Sequence, residues 1–441
     1  MVSAIQSNEK INEPLIIPRA QHPLSRALIS DNALKVLNRL KDAGYASLLV
    51  GGCVRDLMLG REPKDFDVVT DASPEEIRKV FSSARLIGRR FRLAHVRFGR
   101  EIIEVATFRA APPPVDDVTP EAHDNNVFGN QEEDARRRDF SVNALYYNIR
   151  DFSVMDYVGG VTDLQQGILR IIGDAASRYR EDPVRMLRAI RFAAKLGFRI
   201  DPGTAEPIRE LGSLLLNVPP ARMFEEVLKL FHGGYAVETF ELLRNYGLFR
   251  FLFPSTERSL ESEEGNFPLT LAPQALANTD TRIAEDKPVT PAFLFAALLW
   301  EPVRQSAAMR AAHGMRSQEA LERAAEEVLH AQLKHVMIPK RFSVPMREIW
   351  SMQSRFERRS GQQPFRLFEH KRFRAAYDFL ILRTQAGEAD PELGVWWTRF
   401  QEVAEPERRS MIAAIAAPAA PGKRRRRRRR RSAPSSPPPA P

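Results

Sequence analysis

The most constraining feature of the sequence is a pair of glycines, Gly51 and Gly52, that directly follows the short apolar run 46–50. The run predicts a buried strand, and the residues from Cys53 onward predict a helix. Backbone N–H groups and the start of a helix then point at one place, which suits phosphate oxygens. Arg55 could add a bidentate contact to the same group. Taken alone, the motif predicts an ordinary strand-to-helix turn equally well.

A second motif, Lys64-Asp65-Phe66-Asp67, begins a predicted strand that runs to Thr70. Alternate residues of a strand project from one face, so both carboxylates are expected to point the same way while Phe66 packs behind them. Neighbouring carboxylates repel each other unless a divalent cation lies between them, and an all-oxygen ligand set favours magnesium. An isolated pair of this kind is also typical of a solvated strand edge.

The order of these elements (strand, glycines, helix, strand, carboxylates) resembles the head of the polymerase-beta-like nucleotidyltransferase superfamily. More narrowly, G-G-C-V-R-D followed by D-F-D looks like bacterial CCA-adding enzymes and poly(A) polymerases. Residues 137–145 match the R-R-D-F-x-x-N-A-L element of that class. By this resemblance Asp139 joins Asp65 and Asp67 as a catalytic carboxylate, Arg138 contacts the nucleotide, and Asn143 contacts its sugar or phosphates. The alternative is a surface arginine cluster capped by an aspartate.

Glu104 is a further candidate on the metal side of the site. It lies on the second of two strands predicted at 94–98 and 101–107, where valine, isoleucine and phenylalanine concentrate. Its other interpretation is an alternating polar residue of an ordinary strand.

Residues 181–185, E-D-P-V-R, match the E-D-x-x-R element of the same class. The resemblance implies that Asp182 and Arg185 present hydrogen-bonding groups to the Watson–Crick edge of the base. A structural alternative is that Asp182 caps a helix whose first residue is Pro183. Arg185 also begins a basic stripe that is either a solvated helix face or a nucleotide and primer contact. The other members of the stripe are Arg188, Arg191 and Lys195.

The net charge of +10 is concentrated at one end, because Lys423 and eight consecutive arginines supply nine of the positive charges. The rest of the chain is close to neutral. The tail predicts a flexible arm attracted to polyanions, which include RNA, anionic membranes and acidic proteins. We expect it to bind RNA through Arg424, Arg425, Arg426, Arg427, Arg428, Arg429, Arg430 and Arg431.

Composition also bounds the cellular setting. The sequence has no apolar stretch of membrane-spanning length, and its first residues lack the apolar core of a secretory signal. The single cysteine, Cys53, excludes an intramolecular disulfide and fits a reducing compartment. These features predict a soluble cytoplasmic protein.

The pattern predicts an α+β protein: a nucleotidyltransferase head with a mixed sheet and helices, then an all-helical neck and body, and a disordered basic tail. The expected divisions are a flexible N-terminal segment 1–28, the head 29–158, a neck 159–255 with nucleobase- and RNA-binding elements, an RNA-binding body 256–412, and the tail 413–441. Residues 110–130 are expected to form a mobile loop, and residues 255–290 a loop-rich separation between helical lobes. Aromatic residues of the body such as Trp350, Phe356 and Phe373 are expected in its core.

Three features favour poly(A) addition over CCA addition: the segments 88–96 and 219–226, which resemble the poly(A) branch, and the arginine tail, which attracts RNA of any sequence. We therefore expect template-independent addition of AMP from ATP to RNA 3′ ends with release of pyrophosphate, and Mg²⁺ as cofactor. RNA-decay proteins are candidate partners of the tail. CCA addition to tRNA is the alternative among enzymes, and a catalytically silent RNA-binding protein is the alternative outside them.

Overall fold

The computed structural model describes residues 13–88, 93–110, 127–261 and 270–416. Most of the loop predicted at 110–130, part of the segment 88–96 and the whole arginine tail therefore lie outside the described residues. The chain forms two compact units, Met1–Ser343 and Val344–Pro441. None of the described helices is both long and apolar enough to cross a membrane.

The first unit begins with an eight-stranded mixed sheet of strand order β1-β8-β7-β2-β3-β6-β5-β4. Its strands are β1 (Leu15–Ile17), β2 (Ser47–Val50), β3 (Asp67–Thr70), β4 (Ala84–Ile87), β5 (Leu93–Phe98), β6 (Glu101–Thr107), β7 (Leu145–Asn148) and β8 (Val154–Asp156). Strands β3 and β6 pair in parallel, and the other neighbours in this sheet pair antiparallel. The strands predicted before and after residue 100 are both present.

In the described part of the head, four helices accompany this sheet: α1 (Asp31–Asp42), α2 (Gly52–Met58), α3 (Pro74–Val80) and α4 (Gln131–Arg137). Helix α1 begins where the sequence predicts, because the Ser30 side chain accepts a hydrogen bond from the N–H of Ala33 at 3.1 Å. Its apolar face is buried, with Val36, Leu37 and Leu40 all inaccessible to solvent. This burial fixes α1 against the head.

Strand β3 begins three residues later than predicted, at Asp67, so Asp65 precedes the strand. The reason lies in its antiparallel partner β2, which pairs through Ser47–Leu49 and ends at Val50. Residues 64–66 would have to pair with the glycine turn and α2, which carry no strand backbone.

The N-terminal segment is not unstructured in the part that the structure describes, contrary to the expected flexible stretch up to residue 28. Strand β1 pairs antiparallel with β8, with Leu15 opposite Asp156. Pro14 and Pro18 flank this strand, which is tolerated because β1 lies at the edge of the sheet and needs few ladder donors. Leu24 is fully buried, so the segment packs on the head.

The described residues of the first unit that follow β8 form helices and their connections, apart from a parallel pair of two-residue strands, β9 (Ile168–Leu169) and β10 (Arg199–Ile200). Its helices are α5 (Gly160–Gln166), α6 (Ala175–Glu181), α7 (Val184–Leu196), α8 (Pro202–Leu211), α9 (Pro220–Phe231), α10 (Ala236–Asn245), α11 (Phe249–Leu252), α12 (Pro254–Leu260), α13 (Leu271–Ala284), α14 (Pro291–Leu298), α15 (Trp300–Ala312) and α16 (Ser317–Gln332). The prediction of a loop-rich separation at 255–290 is wrong for the described residues of this range, because most of them lie in α12 and α13. Apolar residues at helical spacing, such as Leu271, Ala275 and Leu276, bury one face of α13.

Helix α17 (Lys340–Phe356) runs into the second unit, which also contains α18 (Gln363–Phe368), α19 (Phe373–Gln385), α20 (Pro391–Glu402) and α21 (Glu405–Ala416). An aromatic cluster forms the core of this unit. Phe356 and Trp397 are fully buried and pack edge-on, with ring centroids 5.1 Å apart. Trp350 and Phe373 are also buried, so these aromatic residues lie in the interior as expected.

Candidate active site

The glycine turn has the form that the sequence predicts. Gly51 has φ 76° and ψ −129°, a conformation that residues with a side chain rarely adopt. Its N–H donates to the carbonyl of Leu145 at 3.1 Å, and its own carbonyl accepts from the N–H of Arg55 at 3.0 Å. The first of these bonds ties the turn to β7, and the second begins helix α2.

Arg55, predicted to contact phosphate, is buried and bonded to neighbouring protein groups. Only 2% of the residue is exposed, and its Nε and Nη2 donate to Oδ1 of Asp56 at 2.8 and 2.6 Å. Its Nη1 donates to Oδ1 of Asn143. Arg55 and Asn143, two residues predicted to bind nucleotide, thus bind each other and join α2 to the segment that follows α4.

The paired carboxylates lie where β3 begins. Asp65 is exposed, whereas Asp67 is half-buried and lies opposite Glu104 of β6 in the parallel register. Burial, together with the charges of Glu104 and Asp65, raises the pKa of Asp67 to about 6 against the opposing effect of Arg138. Oε1 of Glu104 also lies 3.3 Å from Nε2 of His95. The excess of negative charge around Asp67 favours a cation at this point.

Within the described ranges, histidine, cysteine, aspartate and glutamate side chains do not form any group of three or more that could hold a metal ion. Asp65 and Asp67 both line the smaller of two cavities described below and form a carboxylate pair. Such a pair fits magnesium, which usually keeps water and binds through one or two carboxylates and the phosphates of a substrate.

Asp139 has both carboxylate oxygens occupied by protein donors. Oδ2 accepts from Nε of Arg188 at 2.7 Å and also from its Nη2. Oδ1 accepts from the N–H of Phe140 at 2.9 Å and from the amide of Asn143 at 3.4 Å. Burial alone would raise the pKa of Asp139, but Arg188 and these hydrogen bonds outweigh it and hold the pKa below its usual range. Asp139 is therefore an anion that organises its neighbours.

Two cavities meet at these residues. The smaller, which we call the glycine cavity, has a volume of about 370 Å³. Its lining comprises Gly51, Gly52, Cys53, Arg55, Asp56, Lys64, Asp65, Asn143, Arg191, Phe192 and Lys195, together with the shared residues named next. The larger, which we call the neck cavity, has a volume of about 580 Å³ and reaches α7 and α9. The residues common to both cavities are Asp67, Arg138, Asp139 and Arg188.

The neck cavity contains both residues that the sequence assigns to the base. Asp182 lies just before α7, and its Oδ1 accepts from the N–H of Val184 at 3.3 Å. The helix begins one residue later than predicted, with Pro183 as N-cap, but the Asp182 carboxylate still satisfies one of its free donors. Its Oδ2 accepts from Nη2 of Arg222 at 2.7 Å. Nη1 of Arg185 donates to the carbonyl of Arg178 at 2.9 Å and to Glu181.

The basic stripe of α7 is not a solvated face. Arg188 binds Asp139, Nζ of Lys195 lies 3.6 Å from Oδ2 of Asp56, and Arg191 lines the glycine cavity. The opposite face is the buried one, as predicted, and contains Val184, Leu187, Ile190 and Ala194.

The structure adds residues that the motifs did not single out. Arg222 and Glu226 of α9 line the neck cavity; the segment 219–226 marked their region but not their role. Asp134 and Tyr146 contact Arg138. The sequence does contain a signal for Asp134. This residue precedes Arg137 by three positions and Arg138 by four, and both spacings are typical of ion pairs on a helix.

Comparison with known proteins identifies the family. Three family models match: the poly(A) polymerase head domain at 47–170, a probable RNA and SrmB-binding site of polymerase A at 197–260, and the polymerase A arginine-rich C-terminus at 313–432. Poly(A) polymerase I of Escherichia coli O157:H7 is 52% identical over 410 residues, which cover 90% of this chain and 88% of that protein. The chain belongs to the poly(A) polymerase I family. Poly(A) polymerase I of Haemophilus influenzae is 44% identical to this chain, and the match covers 90% of each protein.

More distant relatives include a CC-adding tRNA nucleotidyltransferase and CCA-adding enzymes. The CC-adding tRNA nucleotidyltransferase of Halalkalibacterium halodurans is 39% identical over 229 residues, which cover 52% of this chain and 56% of that protein. Among solved structures, the Bacillus stearothermophilus CCA-adding enzyme in complex with CTP covers 88% of both chains at 25% identity and a TM-score of 0.56. The predicted fold class, the family resemblance and the nucleotidyltransferase activity are thereby confirmed.

Proposed function

We propose that this chain is a template-independent polynucleotide adenylyltransferase that adds AMP from ATP to RNA 3′ ends and releases pyrophosphate. The observation that carries the proposal is the extent of the likeness. Poly(A) polymerase I matches 90% of the chain, whereas the CC-adding relative matches about half of it. The described residues of the first unit also supply one continuous site, in which the glycine cavity and the neck cavity share four charged side chains.

Asp65 and Asp67 would hold Mg²⁺, and the negative charge of the nearby Glu104 would strengthen the attraction for a cation. When bound, the metal would lower the charge repulsion between the nucleotide phosphates and this acidic edge and polarise the transferred phosphoryl group. The fit rests on the all-oxygen donor set and on the raised pKa of Asp67, which reflects its burial and the nearby carboxylates of Glu104 and Asp65.

The triphosphate and sugar would occupy the glycine cavity. Gly51 and Gly52 allow close approach of the backbone to phosphate, and Arg138 supplies a cation directly beside the turn, since its Nη1 lies 3.4 Å from where a Cβ of Gly51 would be. Arg55 and Asn143 act by holding the turn and the segment after α4 together. Arg188 and Asp139, shared by both cavities, stand where the sugar would link phosphate to base.

The adenine base would enter the neck cavity. Its 6-amino group donates and its N1 accepts, which matches a carboxylate from Asp182 and a guanidinium from Arg185. Cytosine presents the same donor and acceptor order, so the choice between the two bases depends on where these side chains are held. Arg222 holds Asp182 through its 2.7 Å hydrogen bond and so contributes to that choice.

The remaining assignments stay predictions. The arginines 424–431 would supply sequence-independent attraction to RNA phosphates, and RNA-decay proteins are the partner class we propose for the same segment. The division into N-terminal segment, head, neck, body and tail, with boundaries at 28, 158, 255 and 412, and a cytoplasmic location, are proposed on the same footing.

An extension assay tests the function. The purified chain is incubated with a defined RNA, Mg²⁺ and each nucleoside triphosphate separately, and the products are resolved by length. Long tails with ATP alone are expected. Ordered addition of C, C and A that then stops would favour the tRNA-specific activity, and RNA binding without any product would favour a silent binding protein.

A further inference from the structure

The Arg138 side chain is held on one edge by two buried residues. Its Nε and Nη2 donate to Oδ2 of Asp134 at 3.0 and 2.9 Å. Its Nε also lies 3.2 Å from the hydroxyl of Tyr146, whose ring centroid is 5.5 Å from the guanidinium carbon. The Tyr146 hydroxyl in turn donates to the same Asp134 oxygen at 2.8 Å. Three groups therefore close a small ring of hydrogen bonds on one edge of the guanidinium.

Asp134 is built to stay charged in this position. The residue is 1% exposed, and its Oδ1 accepts from Nε of Arg137 at 3.2 Å and from the N–H of Arg109 at 3.3 Å. Burial would raise the pKa of Asp134, but the charges of Arg138 and Arg137 and the hydrogen bond from Tyr146 lower it overall. Burial also raises the pKa of Tyr146, so the hydroxyl keeps its proton and remains a donor.

The opposite edge of Arg138 faces the site. Its Nη1 lies beside the glycine turn, 3.4 Å from the position of a Gly51 Cβ, and Arg138 lines both cavities. A free arginine samples many rotamers and loses that freedom when it binds a ligand. Here one edge is already fixed before a nucleotide arrives, which removes part of that cost.

We infer that Asp134 and Tyr146 are positioning residues for nucleotidyl transfer, which fix the rotamer of Arg138 so that Nη1 points into the glycine turn. The inference rests on the proposed function, in which Arg138 contacts the nucleotide. It assigns to the Tyr146 hydroxyl a role in nucleotide affinity, although the hydroxyl itself is buried and touches only Asp134 and Arg138 among the contacts described for it.

Tyr146→Phe tests the inference by removing one oxygen atom. The loss of its two hydrogen bonds, one accepted from Arg138 and one donated to Asp134, is expected to raise KM for ATP about three- to tenfold, with kcat changed less than about twofold. The matched control is Tyr147→Phe. Tyr147 is 1% exposed, is the next residue of β7 and so projects from the opposite face of the sheet, where it packs edge-on against His22.

Asp134→Asn is the second variant, because it keeps the shape of the side chain and removes the charge. It is expected to raise KM for ATP more than Tyr146→Phe does. An unchanged KM in Tyr146→Phe, or an equal rise in Tyr147→Phe, would overturn the inference, even if Asp134→Asn fails to fold. Failure of the proposed function is distinguishable, because the wild-type chain would then make no product with ATP.

Discussion

Arg188 donates from both Nε and Nη2 to a single oxygen of Asp139, 49 residues earlier in the chain. Asp139 follows α4 in the head, and Arg188 lies in the middle of α7, so this ion pair connects the two parts of the site. Only 13% of the Asp139 side chain is exposed, so solvent and salt screen this attraction less than that of a surface ion pair. We interpret it as the contact that fixes the position of the glycine cavity relative to the neck cavity.

Removing the cation of this pair should destabilise the first unit. In Arg188→Met, the Asp139 carboxylate keeps its burial and loses its strongest partner, so the free energy of unfolding should fall by about 1.5–3 kcal/mol. Chemical denaturation at neutral pH measures the change. The double variant Arg188→Met/Asp139→Asn should recover part of the loss, because it no longer buries an uncompensated charge. Equal stability of Arg188→Met and the wild type would contradict this interpretation.

The Gly51 turn offers a prediction with an internal control. Gly51→Ala introduces a strained backbone conformation and places a Cβ 3.4 Å from Nη1 of Arg138, so it should lower stability by about 1–3 kcal/mol and raise KM for ATP. Gly60 also has a positive φ, of 68°, but a Cβ there meets nothing within 4 Å. Gly60→Ala should therefore lose stability and keep its KM. A normal KM in Gly51→Ala would argue against phosphate binding at the turn.

Arg222 should affect the choice of base. Arg222→Gln frees Oδ2 of Asp182 from its charged partner, so the carboxylate becomes able to take other positions against the base. We expect the ratio of kcat/KM for ATP to that for CTP to fall by about tenfold, which corresponds to the loss of one charge-assisted contact. Arg258→Gln is the control, because Arg258 is exposed and bonds only within α12 in the contacts described for it. An unaltered ratio in Arg222→Gln would remove Arg222 from base selection.

Cys53 should report on the integrity of the turn. The residue is 2% exposed, its Sγ lies 3.3 Å from the carbonyl of Val50, and burial raises the pKa of its thiol to about 12. Alkylation requires the thiolate, so at pH 8 labelling of the folded chain should be more than about a hundredfold slower than in urea. Mass spectrometry of the only cysteine follows the reaction directly. Equal rates in both conditions would show that the turn opens freely.

Local motifs predicted the parts of the site that follow from short spacing. The turn at Gly51 and the carboxylate of Asp67 each depend on a few neighbouring residues, and the structure has both where the sequence indicates. The start of β3 could not be predicted in the same way, because it depends on where the partner strand β2 ends. Helix α13 is harder to predict because Pro273 lies within its first turn, which weakens the helical signal of Leu271, Ala275 and Leu276.

Pairings across long stretches of chain lay beyond the sequence. Arg55 bonds to Asn143, 88 residues away, because the fold brings α2 against the segment after α4, and its contact with phosphate stays a prediction. The basic stripe of α7 could be read from the sequence as a solvated face or as a nucleotide contact for the same reason. Its acidic partners, Asp139 and Asp56, lie far away in the sequence and come close only in the folded chain. A single sequence carries no signal for such contacts.

The most direct test of the account is the activity of Asp67→Asn beside the wild type in the same RNA extension assay with ATP and Mg²⁺. The substitution removes a carboxylate whose pKa is raised to about 6 by burial and by neighbouring acids, so at neutral pH it relieves repulsion and should leave the thermal unfolding midpoint unchanged or higher. Loss of all detectable extension in a folded variant is the predicted result. Tails of normal length and rate from Asp67→Asn would contradict the assignment of the paired carboxylates as the catalytic centre.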